Sequence, residues 1–577
     1  MSRASKLNIN KYNMIWVAVI ILIPLMELFL GVDLADVGFS MNQYRFCMKD
    51  MNSIYLPLLL TDVIGWALLQ FFGVFGIPEY LGMELAWVFA GYYLCFLGYR
   101  LYKRYRDDSM ILPALALAML LIKTNFGFFI YNTSVAVMAL TALYFLIRGM
   151  NDKKPLFLAL ASFFFVLASL CKISALMQFA VFAVLFYELY KTRDWCYFWK
   201  QLLYVILGFV AGLALAAVLL AATCGIDNYI NMVIEMFFYA GTSTDGHTIG
   251  NMVMINIKGA VRGAMFVAVL AALCFLLKKC ARFYRAATIT VVAIFALFIL
   301  GKAAGLESVP GLGALYGLVF NFYNVIAVLV ALIYLCLFII IRGKEYSDEY
   351  KMLVLASGIL TVIMPIGSNV GITHICNEFF LALPYILICI KDEVKKERQT
   401  VGGEKRPGPI ALVVVLAAVW IVALTGYQSM NKTRAYSEKL DDMAVYQIDE
   451  LRCMKADRYS VEELEELVVF LEAYKDEDVS LTEVGGIPLI NYLSDIKPTV
   501  SGCGGWIETD YVTAAELAEQ LDGAKETPVI VARKAALEEG AEKTAVVMNY
   551  VEKNSYVEVF ANEEYVVYFP SESVKEN

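Results

Sequence analysis

The stretch "NMIWVAVIILIPLMELFLGVDLADVGFSMNQYR", residues 13–45, joins a long apolar run to a short acidic segment. The run at about 13–31 is long enough to cross a bilayer. It lacks a small-residue cleavage site, so we interpret it as a retained span and not as a signal peptide. Asp33 and Asp36 follow directly, with Arg45 close behind. This order predicts a membrane helix with carboxylates at its far end.

The rest of the chain repeats the apolar pattern. It has 577 residues, of which 60% are apolar, and a mean hydropathy of +0.64. Runs of this length and composition are typical of bilayer spans, so the sequence predicts a polytopic α-helical membrane protein with about 13 transmembrane helices. The runs centre on about 13–31, 83–101, 109–122, 132–148, 156–171, 173–190, 201–223, 263–277, 286–301, 321–341, 352–366, 376–390 and 410–427.

Basic loops predict the orientation of these spans. Alternate loops are rich in Lys and Arg, for example "RLYKRYR" at 100–106 and "KKCARFYR" at 278–285. The positive-inside rule then places the N-terminus in the cytoplasm and, with an odd number of spans, the C-terminal part outside. The segment 55–77 is also apolar enough to span, but a crossing there would put 100–106 outside. We therefore predict a first outer loop at about 32–82, with interfacial or re-entrant helices.

Residues 428–577 form a separate acidic piece. From residue 431 onward there are 14 Lys and Arg against 31 Asp and Glu, a balance of −17 within a total of −8. Residues 1–427 are thus predicted as the transmembrane domain and 428–577 as a soluble extracytoplasmic α/β domain. "SVEELEELVVFLEAYK" (460–475) predicts a helix capped by Ser460, and "TAAELAEQL" (513–521) predicts a second capped helix. The acidic balance excludes a nucleic-acid footprint.

Polar and ionisable residues gather at the predicted outer ends of the spans. Such groups are costly at membrane depth and usually mark function. Acids and bases at one face favour a site that binds an anionic lipid head-group and performs acid–base chemistry. The candidates are Asp33, Asp36, Arg45, Lys123, Tyr131, Asn132, Lys172, His247, Arg262, Asn369 and His374.

Several candidates have a plain structural alternative. Asp36 could equally cap a helix over "VGFSMNQYRF". Lys172 could extend its ammonium group to the membrane surface from a helix end. His247 lies in a Gly-, Ser- and Thr-rich loop, and His374 is more typical of a buried, hydrogen-bonded histidine. No cysteine or histidine spacing indicates a metal site.

This layout resembles the GT-C superfamily of polyprenyl-phosphate-dependent glycosyltransferases, particularly the protein O-mannosyltransferases and the aminoarabinose transferases. "DVGFSMNQYR" (36–45) is similar to the acidic entry of that family's first outer loop. "GFFIYNTSVAVMALTALYFL" (127–146) is similar to a Tyr-rich span start, and "FFFVLASLCKISALMQFAVFAVL" (163–185) to a segment that carries a Lys, here Lys172. Val37 stands where the family has a second acid.

The resemblance implies an inverting membrane glycosyltransferase. Its donor would be a polyprenyl-phosphate-linked sugar held in membrane lipid, and its acceptor a glycan, a lipid or a protein. Asp36 would be the general base, partly desolvated and next to a cation, with Asp33 in support. Lys172, with Lys123, Arg45 or Arg262, would hold the phosphate.

The resemblance also leaves questions open. It names no certain cofactor and leaves open the need for a divalent cation. It implies a bacterial cell membrane as the location. The alternatives are a lipid or polysaccharide transporter or flippase, and a catalytically inactive scaffold with the same fold.

Overall fold

The structure is a computed structural model of the 577-residue chain. It describes residues 11–279 apart from 27, 50, 52–53, 124–126 and 243–248, a few isolated positions between 290 and 313, and then 322–364 and 379–400. Residues 442–571 are described apart from 476 and 510.

The described residues between 11 and 400 form a bundle of helices that pack side by side. Their apolar side chains suit a bilayer, and the helical backbone hydrogen-bonds its own N–H and C=O groups, as the bilayer interior requires. The helices are α1 (Lys11–Leu22), α2 (Asp36–Phe46), α3 (Leu59–Val74), α4 (Glu79–Tyr105), α5 (Ile111–Lys123), α6 (Tyr131–Asn151), α7 (Pro155–Cys171), α8 (Val184–Thr192), α9 (Trp195–Ala222), α10 (Ile226–Thr242), α11 (Ile249–Lys279), α12 (Phe322–Arg342), α13 (Asp348–Ile363) and α14 (Phe379–Thr400).

The predicted runs reappear as helices wherever the structure describes them. Among the described residues, six helices are long and apolar enough to cross a membrane, so the predicted number of 13 is not reached in that part of the chain. The first run is shorter than predicted, because α1 and its 3-10 extension end at Leu25. The runs at 410–427 and most of 286–301 lie outside the described residues.

The segment 55–77 forms one helix. A 3-10 turn at Leu56–Leu58 leads directly into α3, and together they make an apolar helix of 19 residues, Leu56–Val74. The helix packs against α2, α4 and α7. Its length and composition are those of a membrane span, whereas the sequence predicted interfacial or re-entrant helices here.

The C-terminal domain is α/β, as predicted. Its strands are β1 (Met443–Val445), β2 (Lys455–Asp457), β3 (Val479–Val484), β4 (Thr527–Arg533), β5 (Tyr556–Ala561) and β6 (Tyr565–Pro570). Its helices are α15 (Arg458–Glu472), α16 (Leu489–Ser494), α17 (Ala514–Asp522), α18 (Lys534–Glu539) and α19 (Glu542–Lys553). The main sheet has the order β3-β4-β6-β5, with β3 and β4 parallel and the other pairs antiparallel.

Helix caps in this domain follow the sequence in part. Thr513 and Glu516 form a reciprocal capping box at the start of α17, as the sequence predicted. The cap of α15 is Asp457, whose side chain accepts a hydrogen bond from the Ser460 backbone N–H at 2.9 Å. The prediction of Ser460 as the cap was therefore wrong by three residues, because an upstream acid takes that role.

Candidate functional site

The two aspartates lie at the start of α2 and have different environments. Asp33 accepts the Ala35 N–H at 2.9 Å, and its own backbone N–H donates to the Tyr80 hydroxyl at 3.0 Å. Asp33 therefore fixes the turn that leads into α2. Asp36 is the first residue of the helix, where the helix dipole favours a negative charge. Its side chain is exposed, so the expected partial desolvation of Asp36 is not seen in this structure.

The C-terminal domain holds this acidic turn in place. The backbone of Gly31 donates to the Lys455 carbonyl at 2.8 Å, and Lys455 donates back to Phe29 at 2.8 Å. Gly38 lies on the buried face of α2, directly against the start of α16. A Cβ at Gly38 would stand 2.6 Å from the Leu489 backbone nitrogen, so only glycine permits this approach. The position of Asp36 thus depends on both domains.

Lys172, Tyr131 and Asn132, three of the predicted site residues, lie close together. Lys172 has an extended backbone that interrupts the helical path between α7 and the 3-10 segment Ile173–Ala183. Its ammonium group lies 5.0 Å from the centre of the Tyr131 ring, a cation–π distance. Tyr131 is also within electrostatic range of Asp36. These contacts place the acid, the tyrosine and the cation in one neighbourhood.

A cleft adjoins Lys172. It is small, with a cavity volume of about 10 Å³ or roughly one water molecule, and it lies between the start of α6, the end of α7 and the end of α13. Its lining combines one cation and several polar groups with apolar side chains. The lining residues are Asn132, Val135, Lys172, Ser174, Ala175, Gln178, Ile363 and Met364.

A loop of the C-terminal domain covers the other side of this neighbourhood. We call residues 500–509 and Tyr511 the roof loop. Tyr511 stacks on Tyr55, with ring centres 3.9 Å apart, and is within electrostatic range of Tyr131. Asn42 of α2 donates to the Gly504 carbonyl at 2.7 Å. The sequence prediction missed the roof loop, although its glycine-rich "SGCGGW" at 501–506 is a signal of a tightly turning loop.

Arg45 has partners other than the predicted phosphate. Its guanidinium pairs with Glu79 at 2.9 Å and lies 3.3–3.4 Å from acids of the C-terminal domain, Glu450 and Asp495. It also stacks over Tyr492 at 4.3 Å. Because three carboxylates already surround it and it lies at the far end of α2 from Asp36, we correct its predicted role in lipid-phosphate binding to one in joining the domains.

No contact in the described part of the chain joins the remaining predicted site residues to Lys172 or Tyr131. Arg262 is exposed on α11, which packs against α12. Lys123 is the last residue of α5, but its side chain is not among the described ones. His247, Asn369 and His374 lie outside the described residues. Within the described part of the chain, no group of three or more His, Cys, Asp and Glu is arranged to hold a metal ion.

The cysteines of the C-terminal domain are both free thiols. Cys453 is exposed and Cys503 is buried in the roof loop. Burial raises the pKa of the Cys503 thiol to about 12. The two thiols therefore differ in access to solvent, although they belong to one domain.

Comparison with known proteins finds similarity at the level of the fold. No protein-family model matches the sequence, and no curated protein matches it either. The crystal structure of ArnT from Cupriavidus metallidurans in the apo state matches with a TM-score of 0.50 and 11% identity, over 96% of this chain and 97% of that one. The structure of the same protein bound to undecaprenyl phosphate has a TM-score of 0.46, again at 11% identity, over 97% and 98% of the two chains.

At this identity the similarity concerns the fold alone, and it covers both the helical bundle and the C-terminal domain. The sequence predicted this layout from its spans and its three motifs. The chain has the apolar helices of a multi-pass membrane protein, and its fold is similar to that of ArnT.

Proposed function

We propose that this protein is a GT-C-type glycosyltransferase that moves a sugar from a polyprenyl-phosphate donor to an acceptor. The observation that carries the proposal is the position of Tyr131, which lies against Lys172 and within electrostatic range of Asp36. A carboxylate and a cation near the same tyrosine match the two charges of sugar transfer from a lipid phosphate. The GT-C fold supports the same reaction class.

Asp36 is the general base in this proposal. Its exposed carboxylate takes the proton of an acceptor hydroxyl while the hydroxyl oxygen attacks the anomeric carbon. The bond between the anomeric carbon and the phosphate oxygen breaks, and the sugar is transferred with inversion. General-base assistance of this kind contributes about 10²–10⁴-fold to the rate. Asp33 supports the reaction by fixing the turn that presents Asp36.

Lys172 stabilises the leaving group in this proposal. The departing polyprenyl phosphate gains negative charge as the bond breaks, and a cation already in position stabilises that charge. The Tyr131 ring positions the Lys172 ammonium, and Asn132, which is 3% exposed, adds an amide to the cleft wall. The polyprenyl tail lies in the bilayer beside the apolar lining.

We place the site at the outer face of a bacterial cell membrane. The basic loops support a cytoplasmic N-terminus, and the acidic C-terminal domain then lies outside. In that orientation, Asp36 and the roof loop face the compartment in which cell-envelope acceptors are found. The acceptor is a glycan, a lipid or a protein.

The test is mass spectrometry of cell-surface glycans and lipid-linked sugars with and without the gene. The proposal predicts that loss of the gene removes one sugar from the cell surface and leaves its lipid-linked donor to accumulate on the outer face. Accumulation on the inner face would instead favour the flippase. Unchanged glycans and lipids would favour the inactive scaffold.

A further inference from the structure

A buried glutamate and a half-buried one face each other where the roof loop meets the sheet. Glu483, on β3, has no exposed surface, and its Oε2 accepts the Ile487 N–H at 2.7 Å. Glu508, in the roof loop, accepts the Gly485 N–H at 2.5 Å through Oε1. The other oxygen of each, Glu483 Oε1 and Glu508 Oε2, is buried without any other hydrogen-bond partner among the described residues. The two carboxyl groups interact with each other.

Two carboxylates cannot both stay ionised in such a place. Burial, and then the charge of Glu508, raise the pKa of Glu483 well above its usual range. One proton shared by Glu483 Oε1 and Glu508 Oε2 would satisfy both remaining oxygens. The single negative charge that is left is stabilised by the backbone N–H groups of Gly485, Ile487 and Ile507.

Three other charged or titratable groups, Cys503, Lys543 and Arg533, lie near the two glutamates. Cys503 lies within electrostatic range of both glutamates. Lys543 of α19 donates to the Thr509 carbonyl at 2.6 Å. Arg533, whose Cβ lies beside Gly485, directs its guanidinium to Glu564. A shared proton would remove the repulsion between the two carboxylates.

The pair joins the roof loop to β3 on one side, and the same loop contacts the candidate site on the other. Trp506 and Tyr511 lie 6.2 and 6.3 Å, between ring centres, from Phe39 of α2. Tyr511 also stacks on Tyr55. A displacement of Glu508 would therefore also move Trp506 and Tyr511, which lie against Phe39 and Tyr55 beside the candidate site.

We propose that Glu483 and Glu508 share one proton and are positioning residues, which hold the roof loop over the candidate site while the proton is bound and release it when the proton is lost. The closed loop binds this proton more tightly than the open loop does. Closure is therefore favoured at low pH and lost as the pH rises through the raised pKa of Glu483. The proposal concerns access to the site and does not depend on the reaction performed there.

Cys503 and Cys453 provide the measurement. Full-length protein in lipid nanodiscs is pulsed with N-ethylmaleimide between about pH 5.5 and 7.5, and alkylation of each thiol is read by mass spectrometry. Below the usual thiol pKa of about 8.5, the thiolate fraction of any solvent-exposed cysteine rises with pH by the same factor. The ratio of Cys503 to Cys453 alkylation therefore cancels this rise and reports how often the loop is open. The exposed Cys453 is the internal reference.

The proposal predicts that the ratio of Cys503 to Cys453 alkylation rises by up to about tenfold per pH unit above the pKa of Glu483. Glu508→Gln replaces the shared proton with an amide N–H, so the ratio should stay low throughout. Glu483→Gln should do the same and serves if Glu508→Gln folds poorly. Asp522→Asn, a surface acid paired with Lys553, should keep the wild-type rise. A flat wild-type ratio, or an equal rise in both Gln variants, overturns the proposal.

Discussion

The positions of Asp36, Tyr131 and Lys172 can be compared with what their sequence motifs predict. Tyr131 begins α6 and Lys172 directly follows α7. The adjacent ends of these two helices bring the two residues together. Asp36 starts α2 within range of Tyr131. The sequence could predict this grouping because all three lie at helix ends on one side of the bundle. It could not predict the exposure of Asp36, which depends on what covers the helix.

Lys172→Gln is predicted to weaken the binding of undecaprenyl phosphate. A hydrogen bond to a charged group contributes about 1.5–3 kcal/mol, so affinity should fall roughly 10- to 150-fold. Binding can be measured by native mass spectrometry of the protein in lipid nanodiscs. The control is Lys154→Gln, which removes a cation just before the opposite end of α7. Equal affinity in the two variants would remove Lys172 from the proposed phosphate site.

Helix α2 is the element on which the site depends. One end carries Asp36, the middle packs against α16 at Gly38, and the last turn carries Arg45. The sequence indicated a helix here, with Asp36 as its cap or as a base. It gave no signal for the close approach to Leu489, because that contact joins residues about 450 positions apart.

Gly38→Ala is predicted to destabilise the protein by about 1–3 kcal/mol, since an added methyl group in a tightly packed contact forces the backbone to move. The measurement is thermal unfolding in detergent. Gly73→Ala, in α3, is the control, because a Cβ there meets nothing within 4 Å. Alanine at that position should be neutral or stabilising by about 0.5–1 kcal/mol. The packing argument would fail if Gly38→Ala unfolded at the wild-type temperature.

At the scale of the whole molecule, the helical bundle and the C-terminal domain contact each other around Arg45. The sequence predicted the domains and their folds from composition, spans and helix caps. Their junction was not predicted, because ion pairs between distant segments leave no local pattern. For the same reason the sequence placed Arg45 at the phosphate, whereas its partners are Glu79, Glu450 and Asp495.

Arg45→Ala is predicted to destabilise the junction by about 3–5 kcal/mol, because it leaves a cluster of acids without its central cation. The Arg45 side chain is 15% exposed, so solvent screens it only in part. Thermal unfolding and limited proteolysis between the domains would both report the loss. Arg104→Ala removes a more exposed pair with Asp152 and should cost within about 1 kcal/mol. Similar losses in the two variants would contradict the role of Arg45 as a domain contact.

The most direct test of the central claim is complementation of a gene deletion with an Asp36→Asn variant, with mass spectrometry of the cell-surface glycan as the readout. Asparagine keeps the shape of the side chain but cannot accept the acceptor's proton. We predict that the wild-type gene restores the missing sugar and that Asp36→Asn lowers its transfer by about 10²–10⁴-fold while the lipid-linked donor accumulates. Full restoration of the glycan by Asp36→Asn would contradict the assignment of Asp36 as the base.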